Sequence, residues 1–65
     1  MSDFEEALEI VRKRGNEINQ RDLMAINAVL NRMPLEEVTE AKAMVYEAIF
    51  LIVNDPQYEG DISPA

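Results

Sequence analysis

Apolar residues recur at intervals of three and four from Phe4 to Val53 and nowhere settle into alternation. This chain therefore has helices to fold with and no strands. Three interruptions divide the pattern: Gly15-Asn16, Pro34, and Asn54-Asp55-Pro56. Glycine and asparagine end helices by turning the backbone, and proline removes a donor and pushes its predecessor out of the helical region. The chain is read as an all-α, small three-helix bundle with helices at about 3–14, 20–33 and 35–53. Residues 1–55 form the domain and residues 56–65 a flexible C-terminal tail.

Each start and stop has a local chemical reason. Ser2 with Glu5 three residues later has the spacing of a capping box, and Phe4, Ala7, Leu8 and Val11 then share one face. Glu9 and Lys13 stand in the favourable i, i+4 order, and Arg12-Lys13-Arg14 suits the negative end of the helix dipole. Asn19 is expected as the second N-cap, with Asp22 at the third helical position and Ile18 and Leu23 as a hydrophobic staple. Leu23, Ile26, Val29, Leu30 and Met33 form the second stripe, and Met24, Met33 and Met44 read as gap-filling core. Pro34 closes the second helix and opens the third, so the two are sharply angled or antiparallel neighbours. Asn27 and Asn31, four apart beside the second stripe, could bond across an interface and fix its register, though exposure is the expectation.

The third helix is too apolar for its place. Val38, Ala41, Val45, Ile49 and Ile52 form the expected core stripe. Tyr46, Phe50 and Val53 widen it on one side, and Met44, Ala48 and Leu51 on the other. The arc exceeds roughly 200°, about twice what a surface helix needs. Two shorter helices cannot cover it all, and surplus apolar surface on a small chain marks a protein contact. The candidate dimer or partner interface is therefore Met44, Ala48 and Leu51, with Tyr46 and Phe50. A narrow acidic face of Glu36, Glu40 and Glu47 separates the two flanks.

Size points the same way. A chain of 65 residues buries only about 60% of the surface it exposes unfolded. Small domains usually add disulfides, metals or partners, and this one has no cysteine and no histidine. A partner chain is what remains, and a homodimer is expected.

The same absences limit chemistry. Neither a Ser-His-Asp nor a Cys-His arrangement can be built, and the two glycines form no phosphate loop. Acid-base work needs a buried member in a carboxylate pair, and Glu5/Glu9 and Glu36/Glu40 lie on polar faces, so they read as solvated acidic surface. Asp55 to Asp61 lacks the order of a calcium loop. No catalytic residue, cofactor or metal is expected.

With 13 acidic against 6 basic residues the net charge is −7, which disfavours direct nucleic-acid binding and anionic membranes. The longest apolar run, Ala41 to Val53, is 13 residues and is broken by Lys42 and Glu47, where a membrane span needs about 20. The acidic N-terminus does not resemble a secretory signal, so the cytoplasm is the default expectation. Acid concentrates in residues 35–65, which carry −6. Helical carboxylates four apart stand about 6 Å apart, near the ~7 Å phosphate spacing of DNA. The sequence thus points first to a small acidic helical regulator, adaptor or inhibitor that binds protein. The alternative is an acidic DNA mimic that inhibits a nucleic-acid-binding protein.

Overall fold

A computed structural model describes residues 2–63. Its helices are α1 (Asp3–Arg14), α2 (Gln20–Leu30) and α3 (Leu35–Val53), with a single 3-10 turn at Gly15–Glu17. No strand occurs among the described residues. The body measures 34 × 21 × 15 Å, and the 19-residue α3, about 28 Å long, runs most of that length.

The caps explain the boundaries. The Ser2 hydroxyl accepts from the Glu5 amide at 3.1 Å. Gly15, the only residue with positive φ among the described residues (φ 50), returns its N–H to the Val11 carbonyl and ends α1. The 3-10 turn that follows aims Ile18 into the core, where it is fully buried ahead of α2. A complete capping box opens α2: Asn19 Oδ1 accepts from the Asp22 amide at 3.1 Å, and Asp22 Oδ2 accepts from the Asn19 amide at 3.0 Å.

Two local expectations change. The second helix ends at Leu30, three residues early, because Arg32 and Met33 donate to carbonyls three residues back (Val29 and Leu30, 3.2 and 3.0 Å). That tighter winding brings the chain round to Pro34, which serves as N-cap of α3. Its carbonyl accepts from both Glu37 and Val38. Glu9 pairs with Arg12 at 3.4 Å, and Glu9–Lys13 is not among the ion pairs of the described residues.

The core joins all three helices through Ala7 and Val11 of α1, Ile26, Val29 and Leu30 of α2, and Val38, Ala41, Val45, Ile49 and Val53 of α3. Val53 takes the place expected of Ile52, which is only half-buried. No polar residue is buried among the described residues, so the interior rests on apolar burial alone.

Residues 54–63 turn back over the domain. Asn54 caps α3 through its side-chain amide on the Phe50 carbonyl (2.8 Å), and Asp55 accepts from the Gln57 amide in an Asx turn. The Tyr58 hydroxyl then donates to the Ile18 carbonyl at 2.6 Å and accepts from the Ile62 amide at 2.9 Å. Glu59 donates to the Asn16 carbonyl, and Asp61 accepts from the Gln20 amide, each at 2.8 Å. Gly60 passes so close to Ile18 and Tyr58 that an added Cβ would collide with the Ile18 carbonyl and the phenol ring. These are the contacts that hold the segment after α3 in place.

Candidate protein-interaction surface

The direction of each α3 side chain follows from its core row. With Val38, Val45 and Ile49 turned inward, residues near 100° to either side reach the rim, and those opposite face water. Tyr46 and Phe50 fall on the α2 side, whereas Met44, Ala48 and Leu51 fall on the other. Leu51 is 67% exposed, Phe50 59% and Met44 53%, while Tyr46 is partly covered and Ala48 half-buried. Glu36, Glu40 and Glu47 are all exposed between the two flanks. The five apolar candidates therefore form two patches with an acidic ridge between them.

On the α2 side the patch is a groove of about 380 Å³ between α2 and α3, lined by Leu23, Met24, Asn27, Tyr46, Phe50 and Ile62 over the buried Ile49 and Val53. The Tyr46 hydroxyl donates to Asn27 Oδ1 at 2.7 Å and ties the two helices together along it. Asn27 is thus half-buried and bonded within the chain, where exposure was the expectation, and Asn31 is exposed as expected. Ile62 and Ser63 close one end, which gives the segment after α3 a share in the surface.

On the other side, Met44 borders a shallow depression of about 350 Å³ shared with Phe4, Met33 and the buried Ala41, and rimmed by Glu36, Glu37 and Glu40. Glu36 and Glu40 thus stand next to Met44, and neither contributes to the groove.

Charge elsewhere is spent on holding the fold. Arg14 Nε donates to Asp22 Oδ2 at 2.8 Å, joining the end of α1 to the start of α2. Partial desolvation pushes the Asp22 carboxyl up, but the bonds from Arg14 and the Asn19 amide, with the Arg14 charge, outweigh it and hold it below its ordinary value. The same contact raises the Arg14 guanidinium, first through the hydrogen bond and then through the charge. Arg32 reaches Glu6 at 3.6 Å and Asp3 at 4.0 Å, across the other end of α1. Among the described residues no three Asp or Glu carboxylates converge as a metal site, and no helix is long and apolar enough to cross a membrane.

Two features escaped the sequence pattern. Met24 was expected in the core and is 68% exposed on the groove rim, because Leu23 takes the inward position beside Ile26. Leu35 is exposed at the first position of α3, where no other helix reaches. The wheel offset of Met24 from Ile26 and Val29 signals its exposure, whereas Ile62 joins the groove through a chain reversal that no periodicity encodes.

Comparison with models of known protein families, with curated proteins and with solved structures finds no match to this chain.

Proposed function

We propose that this chain is a non-enzymatic protein-interaction module, a small acidic helical regulator, adaptor or inhibitor that acts by occupying a partner protein and that forms a homodimer. The observation that carries this reading is α3 itself. Leu35, Met44, Tyr46, Phe50 and Leu51 stay exposed after the helix has supplied five residues to the core. A helix that needed only to fold would carry polar residues at those places.

The homodimer contact is assigned to Met44, Ala48 and Leu51, where Phe4 and Met33 extend the apolar surface toward α1. A standard interface takes about 600 Å² or more from each partner. The chain exposes 4618 Å², so a contact of that size uses roughly one-eighth of its surface. The flexibility read for the segment after α3 is proposed as a loosening beside α2 that releases the Tyr58, Glu59 and Asp61 bonds.

Sedimentation equilibrium tests the reading. The wild-type chain should approach twice 7.4 kDa as concentration rises, and Leu51→Glu should stay at 7.4 kDa while keeping its helical circular dichroism. The DNA-mimic reading makes a different forecast. Binding to a basic partner through Glu36, Glu40 and Glu47 would collapse between about 50 and 500 mM salt, whereas an apolar contact holds.

A further inference from the structure

The connection between α1 and α2 presents main-chain groups that neither helix satisfies. Ile18 and Asn19 are extended (ψ 133 and −177), and Gln20 opens α2, where the first amides of a helix have no partner inside it. The carbonyls of Asn16 and Ile18 and the amide of Gln20 all find their partners in the segment after α3. Asn16 accepts from the Glu59 amide at 2.8 Å and Ile18 from the Tyr58 hydroxyl at 2.6 Å. The Gln20 amide donates to Asp61 Oδ1 at 2.8 Å, at the positive end of α2. The connection is thus a short recognition edge of two acceptors and one donor with a peptide laid along it, much as a strand is added to a sheet.

The fit is specific to this peptide. Tyr58 supplies a hydroxyl that reaches the Ile18 carbonyl and also receives the Ile62 amide at 2.9 Å, which folds the segment round its own ring. Gly60 lets the backbone approach where a Cβ would strike both the Ile18 carbonyl and the phenol. Ile62 adds an apolar anchor against the core. The same segment is nevertheless separable from the domain. No residue from Asn54 to Ser63 is buried, and Asn54 to Gln57, which join it to α3, are all exposed. The side-chain bonds of that link run to the Phe50 carbonyl and from Asp55 to Gln57, not to the edge.

We infer that Asn16–Gln20 is a peptide-binding edge for a segment with tyrosine, glycine and aspartate at i, i+2 and i+3. In this structure residues 58–62 of the same chain fill it, and when they leave, the same segment of a second copy takes their place. The inference rests on the loosening proposed for the segment after α3 and names what the vacated site binds. A second copy is the partner whose fit is already displayed, because every copy carries the peptide that the edge holds. Exchange between copies keeps each of these bonds, as in domain swapping.

The probe is a synthetic peptide of residues 56–63, and the receptor is the full chain carrying Gly60→Ala. That substitution sets a Cβ against the Ile18 carbonyl and the phenol ring, so it should release the chain's own segment and leave the edge unaltered. Amide exchange reads the release: Gln20 and Glu59 should exchange at least ~10-fold faster than in wild type. Amide chemical shifts then read the peptide, which should saturate below ~5 mM, moving Asn16 to Gln20 and not Met44 or Leu51. Wild type should bind it at least ~5-fold more weakly, since its own segment competes at an effective concentration of about 1 mM. Peptides carrying Tyr58→Phe or Gly60→Ala should also bind the variant at least ~5-fold more weakly.

Unchanged exchange at Gln20 and Glu59 refutes the loosening and this inference together. A released segment with no peptide bound at ~5 mM, or equal binding of the three peptides, refutes the inference and leaves the loosening standing. If Gly60→Ala does not fold, Tyr58→Phe carries the same test. Failure of both to fold makes the segment a part of the domain and overturns the inference. Adding Leu51→Glu to Gly60→Ala should leave peptide binding unchanged, and its loss there would move the site to α3 and away from the edge.

Discussion

Removing one oxygen atom, in Tyr58→Phe, tests how the end of the chain is held. The hydroxyl donates to the carbonyl of Ile18, a residue with no exposed surface, and accepts from the Ile62 amide. Each bond contributes about 0.5–1.5 kcal/mol net, so losing both costs about 1–3 kcal/mol. The segment can peel away and let water reach the stranded groups, which holds the expected loss to about 1–2 kcal/mol. A chain of this length has roughly 3–10 kcal/mol in all, so the change is large. At 4–8 °C per kcal/mol it lowers Tm by about 5–15 °C in a thermal melt. Amide exchange gives the location. The Glu59 and Gln20 amides, bonded to Asn16 and Asp61, should exchange faster in the variant, while α3 amides near Val45 follow only the global loss. A variant within ~0.5 kcal/mol of wild type, with Glu59 and Gln20 exchanging unchanged, would refute the reasoning.

Other consequences follow from the same contacts. Asn19→Ala removes the acceptor for the Asp22 amide and should cost about 0.5–2 kcal/mol in urea unfolding, with Asn19→Ser recovering most of it. Because the folded Asp22 carboxyl lies below its ordinary value of 3.8, its contribution is complete above that value and disappears as pH falls through the folded pKa. Wild-type stability should therefore fall more steeply than that of Asp22→Asn as pH drops below about 4, and parallel acid limbs would contradict the assignment. Val45→Ala and Ile49→Ala leave cavities beneath α3 and should each cost about 1–4 kcal/mol. The half-buried Ile52 should cost less when truncated, and an equal loss at all three would place Ile52 in the core.

Much of the architecture was legible because it is written in local chemistry. Ser2, Gly15, Asn19 with Asp22, and Pro34 mark helix ends through bonds within a few residues of themselves, and the apolar period names the faces. Val38, Ala41, Val45 and Ile49 followed from spacing alone and are buried as expected. The early end of α2 was less legible, since Asn31 to Met33 fit the helical period and only the tighter winding before Pro34 ends it. Least legible was the return of residues 58–62 to Ile18 and Gln20, some 40 positions back. Gly60 has no side chain to advertise its close approach, and Tyr58 and Ile62 look like isolated apolar residues until the fold supplies their partners. The division of the α3 surplus was visible on a wheel. That Tyr46 and Phe50 share a groove with Met24 required the path of α2.

The central claim is that the surplus apolar surface of α3 exists for contact with protein, and its most direct measurement is sedimentation equilibrium of wild type and Leu51→Glu side by side. Concentrations from about 1 to 100 µM cover interfaces with micromolar dissociation constants. The account predicts a wild-type mass rising from 7.4 kDa toward twice that value, insensitive to salt between ~50 and ~500 mM, and a Leu51→Glu chain that remains at 7.4 kDa throughout. A wild-type chain that stays at 7.4 kDa to ~100 µM, or a Leu51→Glu chain that associates equally well, would contradict it.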